Sequence, residues 1–172
     1  MKKLDDLIEE FKQQKEIAGI SESVADLADT DKAWANCGEA TAAFNLFLKE
    51  RDLESQKVCL FGLPQFVVKA RQRHFGKEMG EDDMDEEELY GPDLHWINCA
   101  NGVFIDWTGR QYRPDVAFPY IATKRQLRKE GWSLYLMRET LDRACFNAWH
   151  ATVCESFNRY QRNKGPKGSG GE

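Results

Sequence analysis

The 172-residue sequence predicts a single α+β domain. Three observations carry that prediction. Ala40, Ala43, Phe44, Phe47 and Leu48 recur at helical spacing just after Asn36. Residues 94–111, LHWINCANGVFIDWTGRQ, read as two strands joined by an Asn-Gly turn. Residues 57–63, KVCLFGL, form a short apolar run before Pro64, as a buried strand does. Together they predict a central helix packed on a small antiparallel sheet, spanning residues 1–163 as one domain. The ending, residues 164–172, is rich in glycine and lysine and is expected to be a disordered tail.

Composition excludes several classes. Hydrophobic residues are 41% and charged residues 31%, ordinary for a globular protein with a real core. A net charge of −5 gives no global footprint for nucleic acid. No apolar run is long enough to span a membrane. The opening MKKLDDLIEEFKQQKE is charged throughout, so a cytoplasmic location is expected. The five cysteines (37, 59, 99, 145 and 154) lack CxxC or CxxH spacing. Neither a disulfide framework nor a metal site is expected, and no cofactor.

The elements follow in order. Leu4, Leu7, Ile8 and Phe11 mark an amphipathic helix within residues 3–18. Ser21 or Ser23 caps a short second helix with Val24, Leu27 and Ala28 inward, and residues 30–35 break the pattern. Asn36 is expected to cap the central helix, with Glu39 completing a capping box, and this helix ends near Arg51. Residues 66–75 fit either a basic helix or a continued strand. Residues 78–93 carry nine acidic side chains and no basic one, and read as a loop able to act as a lid or to dock a basic partner. After the hairpin, residues 112–123 are expected to be mostly irregular. A short helix follows over 124–130, capped by Thr123 and stopped by Gly131. A long helix is expected from Ser133 to Arg162.

The hairpin holds the chemistry. A two-residue Asn101-Gly102 loop sets Cys99 opposite Phe104, Ile97 opposite Asp106 and His95 opposite Thr108. Alternation then puts His95 and Asp106 on one face as diagonal neighbours, about 7–8 Å apart along the backbone. The other face sets Trp96 across from Trp107 as an aromatic brace. A slip of one residue would separate His95 from Asp106.

Cys37 begins the central helix, where free backbone N–H groups and the helix dipole favour a thiolate. His95 would take its proton, and Asp106 would orient the ring and stabilise its charged form. The helix N-terminus offers N–H donors to an oxyanion, and Gly38 leaves room for substrate. Thr108 and Gln111 are candidate substrate contacts, as is Arg110. His74 is expected at the surface. His150 is expected to be structural, and is the alternative base.

The segments N-C-G-E-A (36–40), H-W-I (95–97) and I-D-W-T-G-R-Q-Y (105–112) resemble the papain-like cysteine enzyme superfamily. The His-Trp and Asp-x-Thr pieces look most like its transglutaminase-like and related bacterial or phage proteins. The resemblance covers residues 34–112. It implies a helix opened by the cysteine, packed on an antiparallel sheet bearing the histidine and the acid. Papain-type peptidases place a glutamine shortly before the cysteine as oxyanion donor. Position 31 is Asp here, and no glutamine lies between Ser21 and Cys37, which leaves Asn36 or the Trp34 indole for that role.

The expected activity is acyl transfer from an amide in a protein or peptide substrate, through a thioester on Cys37. Hydrolysis is favoured because water is the default acceptor. Glutamine deamidation and transamidation use the same triad. A non-catalytic protein-binding module on this fold is the contrasting expectation.

Overall fold

The computed structural model describes residues 3–15, 23–78 and 89–136. Helix α1 (Leu4–Lys12) buries Leu7, Ile8 and Phe11 along one stripe, as their spacing predicts. A single 3-10 turn follows at Val24–Ala28. Ser23 caps it by accepting from the Asp26 N–H at 3.3 Å, while Asp26 reaches back to the Ser23 N–H at 3.1 Å. A one-turn helix, α2 (Thr30–Ala33), occupies the segment expected to be a break. Asp29 starts it by accepting from the N–H groups of Asp31 and Lys32.

Helix α3 (Cys37–Lys49) is the predicted central helix, burying Ala40, Thr41, Phe44, Phe47 and Leu48. Its start corrects one expectation. Asn36 makes no side-chain cap, and Glu39 is exposed rather than closing a capping box. The Asn36 amide instead donates backward to the Lys32 carbonyl at 2.7 Å. Ala35 lies at φ 63°, so the chain reverses sharply between α2 and α3. That turn directs Asn36 at the unpaired carbonyls ending α2, not at the N–H groups opening α3.

Five strands form one antiparallel sheet in the order β4-β3-β2-β1-β5. They are β1 (Gln56–Gly62), β2 (Asp93–Ala100), β3 (Val103–Asp106), β4 (Tyr120–Ala122) and β5 (Ser133–Leu136). Helix α4 (Gln65–Glu78) settles the ambiguous segment after β1 as helical. Helix α5 (Lys124–Lys129) matches the predicted short helix. Thr123 accepts from the Gln126 N–H at 3.2 Å, and Gly131 sits at φ 101° just past its end.

One expectation fails around this sheet, and a mostly irregular segment also carries a short strand. Ser133–Leu136 is a strand, not the start of a long helix, and it pairs with β1 from Phe61↔Ser133 to Val58↔Leu136. The open edge of a buried central strand outweighs the local helical spacing there, because its backbone groups need partners. Residues 137–162 of the expected helix lie outside the described residues. Residues 120–122, in the segment expected to be mostly irregular, form edge strand β4 against β3.

The core lies on both faces of the sheet. On one, α1 and α3 pack with Ala100, Ile105 and Trp107. On the other, Val58, Leu60 and Ile97 meet Val67, Ala70, Leu127 and Trp132. Trp107 corrects the expected cross-strand brace. Strand β3 ends at Asp106, and the Trp107 ring turns into the helical core. It packs on Phe11, Phe44 and Phe118 at centroid distances of 4.8, 4.9 and 5.8 Å. Such tilted aromatic contacts contribute about 0.5–1.5 kcal/mol each beyond their buried area.

Candidate active site

The Asn101-Gly102 loop forms as its sequence predicts, with φ values of 51° and 77°. The register follows: Ala100↔Val103, Cys99↔Phe104 and Asn98↔Ile105. Asp106, at the end of β3, therefore comes within reach of His95 on β2. The His95 Nε2 and Asp106 Oδ2 atoms are 2.8 Å apart, and both residues are buried.

The carboxylate is held from two sides. Its Oδ1 accepts from the Thr108 N–H at 3.0 Å. Gly109 closes in behind it, where a Cβ would stand 2.8 Å from Oδ2. Only glycine permits that approach.

Asp106 occupies Nε2, and the Gln111 amide lies against Nδ1. Cys37, the first residue of α3, lies near enough to the ring to help raise its pKa. Burial alone would lower the His95 pKa. The Asp106 charge and hydrogen bond outweigh it, helped by Cys37, and the pKa stands well above the ordinary histidine value.

Aromatic walls enclose the imidazole. Tyr112 meets it edge-on at 5.0 Å and 82°, and Trp132 lies nearly parallel at 6.2 Å and 28°. Tyr112 donates its hydroxyl to Asp93, which Arg71 grips at 2.8 Å. Burial, then the charges of Asp93 and Cys37, push the Tyr112 hydroxyl pKa well up, so it remains a neutral donor. Arg71 also donates to the Gly91 carbonyl at 2.7 Å and so fixes the start of β2.

The remaining candidates are placed as follows. Gln111 is buried against His95, its Nε2 lying 3.2 Å from Nδ1 and 3.3 Å from the Thr108 Oγ1. Asn36 is turned back on α2, as described. Trp34 stacks on His74 at 4.2 Å and 15°. His74, expected at the surface, is thus partly covered, and its Nδ1 lies 3.9 Å from Asp31. Arg110 bonds the carbonyls of Val116 and Ala28, which ties the loop after β3 to the first 3-10 turn. His150 lies outside the described residues, as does the acidic run over 79–88.

Sequence reasoning missed Tyr112 as a wall, Trp132 and the Arg71–Asp93 pair. Asp93 carried a usable signal, because it stands two residues before His95 on the same strand face. Trp132 carried none, since its approach depends on β5 pairing with β1. Cys59 and Cys99 are the other two described cysteines. Burial pushes both thiols up, more so at Cys59, where the Cys37 and Asp93 charges add to it.

Among the described residues, no cluster of histidine, cysteine and carboxylate groups could hold a metal ion, and no helix is long and apolar enough to cross a membrane. No protein-family model, curated protein or solved structure matches this chain.

Proposed function

We propose that this chain is a cysteine-dependent acyl-transfer enzyme of papain-like fold that cleaves an amide in a protein or peptide. One observation carries the reading: a buried His95–Asp106 pair at 2.8 Å, with Cys37 near enough to the same ring to help raise its pKa. A helix-opening cysteine, a histidine and an acid follow one another in the chain in the order Cys, His, Asp that papain-like enzymes use.

The steps follow from the geometry. His95 takes the Cys37 proton, and the thiolate sulfur attacks the substrate carbonyl carbon. The tetrahedral oxyanion is stabilised by backbone N–H groups in the first turn of α3. The carbon–nitrogen bond breaks as His95 returns the proton to the leaving amine. Water, deprotonated by His95, then attacks the thioester, releasing a carboxylic acid and the free thiol. Asp106 keeps the ring oriented and offsets its positive charge throughout.

Iodoacetamide labelling at pH 6, with the modified cysteine mapped, tests this reading. Cys37 is expected to react at least tenfold faster than Cys59 or Cys99, the excess a thiolate confers, and to lose that advantage in His95→Ala. Slow, uniform labelling of all cysteines would overturn it.

A further inference from the structure

The hydrogen bond between Gln111 and His95 sits where a catalytic base usually has only its nucleophile. Asp106 holds Nε2, and the Gln111 carboxamide approaches Nδ1 at 3.2 Å. The same amide nitrogen lies 3.3 Å from the Thr108 hydroxyl. His95, Thr108 and Gln111 are all buried, so each polar atom there needs a partner in every state the site visits.

A carboxamide can meet that demand twice over. Its nitrogen has two N–H donors and its oxygen has two lone pairs, in nearly the same shape. With the nitrogen forward, it donates to neutral Nδ1 and to the Thr108 oxygen. Turned over, its oxygen accepts from Nδ1–H of the imidazolium and from the Thr108 O–H. Thr108 follows because a hydroxyl donates or accepts by rotating its proton. In both states Nδ1 and the Thr108 hydroxyl keep a partner.

We propose that Gln111, with Thr108, is a positioning residue that holds Nδ1 of His95 in both protonation states by turning its carboxamide over. The consequence for turnover rests on the acyl-transfer reading, in which His95 gains and loses a proton in each half-reaction. The coupling itself rests only on the three hydrogen-bonded side chains. The sequence places all of them within the hairpin and the turn after it. Thr108 is the residue before the 3-10 turn Gly109–Gln111, and that turn brings Gln111 back over the ring.

The test is the titration of the His95 ring, followed by nitrogen-15 NMR in the full-length chain carrying Cys37→Ala. The signal is assigned by its loss in His95→Gln. A hydrogen bond to a charged group is worth more than one to a neutral group, so removing Gln111 penalises the imidazolium more. Gln111→Met is expected to shift the protonation equilibrium about tenfold toward the neutral ring. Thr108→Val is expected to shift it in the same direction by less, and Thr108→Ser to leave it unchanged. Variants are compared only where circular dichroism and a cooperative melt show the native fold. If Gln111→Met does not fold, Thr108→Val against Thr108→Ser decides the matter. A His95 titration that stays put in every folded variant overturns the proposal, since a merely structural glutamine would change the melt alone. An unreactive Cys37 in the unmodified chain would instead sink the acyl-transfer reading and leave this coupling standing.

Discussion

Asn98 on β2 donates to the carbonyl of Thr41 on α3 at 3.0 Å and to the Asn45 side chain at 2.6 Å. It stands three residues beyond His95, and Thr41 stands four beyond Cys37. One buried amide therefore fixes the strand carrying the base against the helix carrying the thiol. Replacing Asn98 with Ala is expected to lower stability by about 1–3 kcal/mol, the penalty for stranding buried polar groups. Cys37 alkylation should also slow as the helix start drifts from the ring. Urea unfolding and labelling rates measure the two effects, and full retention of both would show that packing alone sets the helix.

Asp106→Asn is expected to reverse the pH dependence that His95 gives to stability. The folded His95 pKa is raised, so the residue stabilises the fold fully below its unfolded value, near 6.5. That contribution disappears as pH rises through the higher folded value. With Asn at 106 the raising charge is gone and burial, which lowers the pKa, remains. The variant should then lose stability as pH falls below about 6.5, where the unfolded ring takes up a proton more readily. Urea melts from about pH 5 to 8 should show the gap between the two proteins widest at the acidic end. A constant gap would contradict this.

Gly109→Ala places a methyl group 2.8 Å from the Asp106 carboxylate. Either the carboxylate or the backbone must shift, at a cost of about 1–3 kcal/mol. The sharper consequence is chemical, because the His95–Asp106 hydrogen bond cannot keep its length if the carboxylate moves. Cys37 labelling at pH 6 should fall more than the melting temperature suggests. A lower melting temperature with unchanged labelling would mean that the backbone absorbs the methyl group.

Phe44→Ala removes a fully buried ring between Phe11 and Trp107. The expected loss is about 3–5 kcal/mol, a large share of a small domain's stability. Differential scanning calorimetry checks it. A loss under about 1 kcal/mol would show that Phe11 and Trp107 close the gap.

The hairpin was the most legible part of the sequence, since its turn residues dictate backbone geometry and its register then follows from counting. Helix α3 was legible from apolar spacing, and α5 from Thr123 and Gly131. The failures share a cause. Asn36, Trp107 and Ser133 each stand where a chain reversal or a distant strand decides the outcome. Local rules give Asn36 to the helix it precedes, but the left-handed Ala35 turns it back. Local spacing gives Leu134 to a helix, but an unfilled edge of β1 claims it. Gln111 was expected to contact substrate, and its bond to the His95 ring was not legible, because that ring lies sixteen positions earlier and only the folded turn brings it near.

The hairpin also has a consequence for the order of assembly. His95 and Asp106 are 11 positions apart, and Gln111 reaches back 16, whereas the Asn98 bond to α3 spans 57. Short loops close at smaller entropic cost than long ones, so the base and its supports form as a local unit before the nucleophile docks. In refolding, pulsed labelling should then find Cys37 still behaving as an ordinary thiol after the hairpin amides are protected from exchange. On the acyl-transfer reading, Cys37 would then gain its reactivity only in the last step of folding.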